Sequence, residues 1–470
     1  MKMEKLGNAK HQVAHFQKIL LIRGDVSMNF KNTSHYIFEN CDTVELAKTF
    51  GTPLYVISED RIRNKCTDVR DNFLRKYPNT KAAYASKAFL TMAMCKIIEA
   101  EGLGLDVVSG GELYTAIKAD FPMEKVIFHG NNKSYEELIL AVTNNVGRII
   151  VDNLYELEML NHIAKDQGKK VKILFRITPG VGGKTHQYIT TGQTDSKFGI
   201  PLEKDVIENT VKKAIDSSNL DLKGFHFHVG SQLFEVDSQL IAIKTVLSLI
   251  KDLKENLGFL VEELNTGGGF GIHYNEDDEE TKPISFFIDP IMETVKEGCK
   301  EFGLDMPTVI IEPGRWIVGE AGMTLYTLGA IKEISNVRTY ISVDGGLPDN
   351  PRPALYKAKY DAIVANKANE KPEEVVTIAG KCCESGDILI WDLKVPKIES
   401  GDILAVFATG AYNYSMASNY NKLPRPAVVL VSEGKAELMV ERESYEDLLN
   451  KEIIPHHLDN IRSTKLTFGA

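Results

Sequence analysis

Lys87 stands in AYASKAF (83–89), just after a run of small and apolar residues, and three other segments far along the chain concentrate groups that could work with it. GFHFHVGS (224–231) supplies His228 and Ser231, NTGGGFG (265–271) supplies Gly267, Gly268 and Gly269, and EPGR (312–315) supplies Glu312, Pro313, Gly314 and Arg315. A lysine amine kept neutral enough to react can form a Schiff base with an aldehyde. Glycine-rich backbone and an arginine can hold a phosphate. A buried carboxylate can keep a neighbouring ring nitrogen protonated, and an imidazole can cover a flat ring and exclude water. Each group alone has a blander use: a lysine at a strand end is commonly a solvated rim residue, TGGGFG a turn, and EPGR a turn with a surface ion pair.

The elements that carry these residues change the weight of that list. Eight short apolar runs alternate with longer helical patterns: KAAYAS (81–86), LGLDVVS (103–109), VIFHG (126–130), RIIVD (148–152), KILFRI (172–177), GFHFHV (224–229), LNTGGG (264–269) and TVIIEPG (308–314). Between them, stretches such as FLTMAMCKIIEAEG repeat apolar residues at helical spacing, with Leu90, Ala93, Met94, Ile97 and Ile98 on one face. Apolar strands alternating with helices predict a parallel sheet covered on both faces, and eight units predict a (β/α)8 barrel of the TIM type, with an open doubly wound sheet as the alternative. Lys87, His228, Gly267–Gly269 and Glu312–Arg315 then all fall at the carboxyl ends of strands, the end of a barrel where catalytic groups collect. Their joint placement points to pyridoxal 5'-phosphate, with Lys87 on its aldehyde, the glycines and Arg315 on its phosphate, Glu312 on its ring nitrogen and His228 on its face.

After Trp316 the pattern turns to strands separated by turns, from MTLYTLGAI to EGKAELMVERE, with no long helical pattern before SYEDLLNKE (444–452). The chain therefore reads as an N-terminal arm (1–34), a segment joining the β domain (35–60), a cofactor-binding barrel (61–314) and an all-β domain, sandwich or Greek-key barrel, over 315–470. The arm lacks a secretory apolar core and cleavage site, and reads either as a surface arm or as an extension upstream of a start at Met28.

Composition excludes several classes. With 55 Lys+Arg against 65 Asp+Glu and no long basic run, no nucleic-acid footprint is expected. No apolar run approaches the length of a membrane span. Six cysteines (Cys41, Cys66, Cys95, Cys299, Cys382, Cys383) without a CxxC pair fit a reduced, cytoplasmic setting, and no metal site is expected.

Nine segments in order carry a resemblance: YASKAF, HGNNKS, HQYITTGQTDSKFG, GFHFHVGSQ, NTGGGFG, IEPGRW, RPALY, CESGD and GAYNYSMASNYN. The chain resembles the diaminopimelate decarboxylases, within the barrel-fold (fold type III) family of pyridoxal-phosphate decarboxylases that also holds ornithine and arginine decarboxylases. The resemblance implies decarboxylation of meso-2,6-diaminopimelate to L-lysine and carbon dioxide, the last step of lysine biosynthesis. It implies that Lys87 and His228 act on the cofactor, that Ser231, Gly268, Gly269, Gly314 and Arg315 surround its phosphate beside Pro313, and that Glu312 meets the ring nitrogen. Tyr412 would close over cofactor and substrate. Arg315, Arg352, Tyr356 and Glu384 would bind substrate, and Cys383 would return a proton to Cα. It further implies a homodimer in which CESGD enters the partner's barrel, so that Cys383 and Glu384 act in trans. The departures are small: Lys381 and Cys382 precede Cys383 where many members have Pro-Leu, and GGLPDNP precedes Arg352. Two other readings stay open from the sequence: a sister decarboxylase acting on D-ornithine, D-lysine or carboxynorspermidine, and a non-catalytic cofactor-binding homologue.

Overall fold

The computed structural model describes residues 34–181 and 195–459. Nearly all of the N-terminal arm, and residues 186–194 of the HQYITTGQTDSKFG segment, lie outside the described residues.

All eight apolar runs form parallel strands: Thr80–Ala85, Gly104–Val107, Val126–Phe128, Arg148–Val151, Val171–Thr178, Leu220–His226, Glu263–Asn265 and Thr308–Ile311. The eighth pairs with the first and the sixth with the fifth, so the sheet closes into a barrel and the open-sheet alternative falls. A short strand, Ile200–Pro201, adds to the fifth on the outside of this ring.

Side chains on a strand alternate between faces, so residues two apart step up the barrel interior. The lowest step is ionic: Glu263 accepts from Arg148 Nε and Nη2, each at 2.6 Å, and from Lys81 Nζ at 2.6 Å. Two residues further along each strand the interior is apolar, where Ala83, Ile127, Ile150, Leu174 and Ile310 form a buried cluster. Two residues beyond that it becomes polar at His129, Asp152, Arg176 and Glu312, with Ala85 staying apolar, and Asp106, His226 and Asn265 from the other strands join this layer. The apolar layer is the floor on which the polar upper layer rests.

The loops above the strands are tied by helix caps. Ser134 caps the helix Tyr135–Thr143 in a reciprocal box with Glu137, whose Oε1 also accepts from Gly110 N at 2.6 Å, so one acid orders two adjacent loops. Lys133 is buried and donates to Gly130 O, Ile150 O and Glu156 Oε1 at 2.7–2.8 Å, pinning the loop that carries His129.

Ile37–Phe38 and Cys41–Asp42 pair with each other in a small antiparallel sheet, and nine further strands form a second large sheet. Its path runs from Ile388–Val395 through Glu374–Ala379, Arg338–Val343 and Gly322–Ile334 to Leu54–Ser58, Ala427–Ser432 and Lys435–Val440, with Ile403–Val406 and Ala362–Val364 branching from Gly322–Ile334. Leu54–Ser58 precedes the barrel in sequence yet lies antiparallel to Gly322–Ile334 and parallel to Ala427–Ser432. The architecture is a closed TIM-like barrel with a separate β-sheet domain. The helical pattern expected at SYEDLLNKE is instead a series of turns, and a four-residue helix, His456–Asp459, follows. Ser444 and Asp447 satisfy each other there: Asp447 Oδ2 accepts from Ser444 N and Oγ, a local bonding that competes with helix.

Candidate active site

A cavity of about 540 Å³ opens at the carboxyl ends of the strands, and its walls bring together residues from across the whole chain. Of the residues expected from the sequence, Lys87, His228, Ser231, Gly268, Gly269, Glu312, Gly314, Arg315, Arg352, Tyr356 and Tyr412 all line it. Pro313 does not, but its carbonyl accepts from Ala85 N at 3.2 Å and so fixes the Glu312–Arg315 turn against the strand that carries Lys87.

Lys87 follows the first strand on a single 3-10 turn, Ser86–Ala88, and its side chain is exposed into the cavity. Burial in the barrel mouth disfavours its charge, yet the Asp106 carboxylate, Tyr412 and the Glu312 carboxylate outweigh that and hold the amine above its ordinary pKa. The expected neutral amine is therefore not what the protein alone provides, because the acids that crowd the site keep it protonated.

Glu312 is the centre of the polar layer. Its Oε1 accepts from Asn265 Nδ2 at 2.6 Å and lies 2.8 Å from His129 Nε2, and Oε2 lies 3.4 Å from His226 Nε2. Burial pushes this carboxyl up, but the imidazoles of His129 and His226 outweigh it and hold it well below the usual carboxylate range. His226 is itself pushed down to about 3 by burial, so at neutral pH it meets Glu312 as a neutral ring. Burial likewise pushes His228 well below its ordinary value, with Lys87 and Arg176 adding to it, so it lines the cavity as a neutral imidazole whose Nδ1 accepts from Gly268 N at 3.4 Å. One carboxylate oxygen from Glu312 and one ring nitrogen each from His129 and His226 lie within 4.8 Å of one another, a spacing that could hold a metal ion. In the structure these groups are already engaged with one another.

The glycines are dictated by close approach. A Cβ on Gly268 would lie 2.1 Å from Glu312 O, and one on Gly269 would lie 2.1 Å from Gly230 O, at a backbone φ of +96°. No other residue lets these three loops touch.

Two buried guanidiniums face the cavity. Arg315 Nη1 donates to Tyr274 Oη at 2.6 Å and Nη2 to Ser231 Oγ at 2.9 Å, while its Nε is buried with no partner. Arg352 Nη1 donates to Tyr360 Oη at 2.5 Å. Burial disfavours the charge of Arg352, but the oxygens of Tyr274, Tyr360 and Tyr412 prevail and raise its pKa. Among the described residues neither arginine pairs with a carboxylate, whereas Arg176, on the same wall, has Asp152 at 4.0 Å. Buried cations without protein counter-ions call for an anionic ligand.

Cys383 and Glu384 are not part of this cavity. Cys383 is exposed, with its backbone N–H donated to Asn421 Oδ1 at 2.9 Å, and Glu384 Oε1 lies 3.4 Å from the N–H of Gly386 in its own turn. Sequence reasoning gave no role to Asp106, His226, Asn265, Tyr274 or Tyr360. The two-residue step of the strands could have found the first three, since Asp106, His226 and Asn265 stand two residues beyond Gly104, Gly224 and Glu263 near the carboxyl ends of their strands. Nothing local marks the tyrosines.

Comparison with known proteins bears directly on this site. Residues 59–319 match the family described as "Pyridoxal-dependent decarboxylase, pyridoxal binding domain". The diaminopimelate decarboxylase of Bacillus subtilis is 48% identical over 419 residues, 89% of this chain and 95% of the relative. The chain belongs to the diaminopimelate decarboxylases. That of Halalkalibacterium halodurans is 49% identical over 415 residues, 88% of this chain and 94% of its own. Among solved structures, diaminopimelate decarboxylase from M. jannaschii superposes with a TM-score of 0.83 at 38% identity, covering 91% of this chain and 99% of that one. The Helicobacter pylori enzyme complexed with L-lysine gives 0.79 at 31% identity, covering 87% and 98%. The cofactor of this family is pyridoxal phosphate, and the site fits it: a lysine open to the cavity, an ionised Glu312, a glycine cradle, and an arginine with an unpartnered buried N–H.

Proposed function

We propose that this chain removes carbon dioxide from meso-2,6-diaminopimelate to give L-lysine, with pyridoxal phosphate held at the mouth of the barrel. The observation that carries the reading is the pair of buried arginines, Arg315 and Arg352, which have no carboxylate partner among the described residues and share a cavity with Lys87. With the cofactor's phosphate meeting Arg315, Arg352 is left for a carboxylate at the far end of the substrate, which diaminopimelate carries and a substrate with only an amine there lacks.

In this reading Lys87 holds the cofactor through its amine, His228 covers the ring, and Glu312 keeps the ring nitrogen charged. Ser231, Gly268, Gly269, Gly314 and Arg315 hold the phosphate, with Pro313 setting the turn. When bound, pyridoxal phosphate supplies a sink for the electron pair left on Cα. The chain supplies orientation and proton control. Arg352 and Tyr356 grip the far end of the substrate, Arg315 and Tyr412 border the reacting end, and water is excluded as Tyr412 packs over Arg315, ring centroid to Cζ 4.6 Å. The bond from Cα to its carboxylate breaks, carbon dioxide leaves, and Cα takes a proton from the Cys383 thiol, which solvent then reprotonates.

Cys383 and Glu384 serve the cavity of a second copy, so the working unit is a homodimer with shared sites. The exposure of Cys383 outside its own cavity supports this. The division of labour follows the chain: 61–314 binds cofactor, while 35–60 and the stretch from 315 onward form the unit that brings the substrate and proton-donating groups. A cytoplasmic setting is supported by six cysteines that form no disulfide. Separately, no helix among the described residues is long and apolar enough to cross a membrane.

The test is carbon dioxide release by cofactor-loaded protein from meso-diaminopimelate, D-ornithine, D-lysine, L-ornithine and L-arginine. Release confined to meso-diaminopimelate, abolished by Lys87→Ala and strongly slowed by Cys383→Ala, is expected. Release only from another amino acid overturns the substrate, and release from none overturns catalysis.

A further inference from the structure

Arg352 has an unusual partner set for a buried guanidinium. It is held by two phenols, and no carboxylate among the described residues neutralises it. Tyr360 Oη accepts from its Nη1 at 2.5 Å, and the Tyr274 ring lies under its Cζ at 4.7 Å. The two rings meet edge to face, with centroids 5.5 Å apart and planes at 89°. All three side chains are buried. The arrangement also reaches Arg315, because the Tyr274 hydroxyl accepts from Arg315 Nη1 at 2.6 Å. Tyr274 arrives on the segment that follows the glycine run and Tyr360 on the segment that follows RPALY. A backbone bond from Asp361 N to Tyr274 O, 3.3 Å long, joins these segments.

A carboxylate in the place of either phenol would also orient Arg352, but it would neutralise the charge and compete with a substrate carboxylate. A phenol oxygen accepts one N–H, and an aromatic face fixes the plane of the fork, while the net charge stays on the guanidinium. We propose that Tyr274 and Tyr360 are positioning residues that set the Arg352 fork for the carboxylate at the non-reacting end of the substrate, and so set the preference for a substrate that carries one. This rests on the reading of Arg352 as the anchor of that carboxylate. The shared Tyr274 further ties the plane of Arg352 to the position of Arg315, since its ring lies under the one and its hydroxyl accepts from the other.

The experiment uses the cofactor-loaded enzyme and its Tyr360→Phe and Tyr274→Leu variants, with Tyr274→Phe as the variant that keeps the ring. Calorimetry measures binding of L-lysine, which retains the carboxylate in question, and of cadaverine, which has none; kcat and KM are measured for meso-diaminopimelate. Tyr360→Phe is expected to weaken L-lysine about tenfold, equal to about 1.4 kcal/mol, with cadaverine changed less than about twofold. KM rises by a similar factor and kcat changes little. Tyr274→Leu is expected to do the same, and Tyr274→Phe to restore most of the L-lysine binding lost in Tyr274→Leu. Equal weakening of L-lysine and cadaverine, or unchanged L-lysine binding in both Tyr360→Phe and Tyr274→Leu, overturns the proposal. A wild-type enzyme that ignores both L-lysine and meso-diaminopimelate overturns the substrate reading itself, and the proposal with it.

Discussion

Replacing Glu312 by Gln isolates the charge at the centre of the site while keeping its shape. The introduced amide oxygen can still accept from Asn265 Nδ2 and face His129 Nε2, so the hydrogen-bonded layer stays connected. What is lost is the negative charge, which burial alone would not sustain and which the two imidazoles hold in place. At a contact distance of about 2.8 Å and an effective dielectric near 20, an ion pair with a protonated ring nitrogen is worth up to about 6 kcal/mol. A neutral acceptor recovers part of this, and hydrogen bonds to charged groups contribute about 1.5–3 kcal/mol net. A loss of about 3–4 kcal/mol in the transition state lowers kcat by about 10²–10³-fold. The assay is single-substrate carbon dioxide release at saturating meso-diaminopimelate, with cofactor occupancy read from the absorbance of the same sample and folding from its melting curve. A fully loaded, normally folded variant whose kcat lies within about threefold of wild type would refute the assignment of Glu312 to the ring nitrogen.

Shared sites predict complementation: inactive Lys87→Ala and Cys383→Ala chains, mixed and allowed to exchange, should recover up to about a quarter of wild-type activity, because half of random dimers are mixed and each carries one intact site. Absence of recovery in mass-verified mixed dimers argues that Cys383 serves its own chain. Asp349 predicts a pH effect on stability. Burial raises its carboxyl to about 7, against the opposing hydrogen bonds from Tyr326 Oη and Gly346 N. The unfolded chain releases this proton near pH ~3.9, so between about 4 and 7 the native state binds more protons than the unfolded one. This group therefore favours folding most at low pH, and its contribution is lost as pH rises through about 7. Asp349→Asn should flatten that dependence, with the wild-type-minus-variant difference in unfolding free energy changing by up to about 4 kcal/mol between pH 4 and 8. Parallel pH profiles for the two proteins would rule it out.

Legibility differed by residue rather than by region. Lys87, His228, Gly268, Gly269 and Glu312–Arg315 were readable because each follows an apolar run, and a strand end is a local property of the chain. Asp106, His226 and Asn265 went unnamed, although the two-residue alternation of the strands could have marked their faces; their partners could not have been read locally. Glu312 illustrates why: its state depends on His129 and Asn265, which are 183 and 47 residues away. The neutral Lys87 amine was a chemical requirement stated from residue type. The structure reverses it because Asp106 and Tyr412, brought in by other strands and by the β unit, decide the field at that nitrogen.

Local pattern alone determined the eight β/α units, which residues stand at the strand ends lining the cavity, and the switch to β structure after Trp316, since backbone periodicity and turn chemistry act over a few residues. Only the tertiary structure decided the rest. Barrel closure depends on pairing Thr80–Ala85 with Thr308–Ile311 across more than two hundred residues, and although 35–60 was expected to join the β unit, only the structure decided that Leu54–Ser58 sits between Gly322–Ile334 and Ala427–Ser432. Tyr274 and Tyr360 became a cradle for Arg352 because a guanidinium, two ring planes and a third side chain's hydroxyl bond meet at fixed angles. Directional contacts of that kind exist only once the separate segments are packed together.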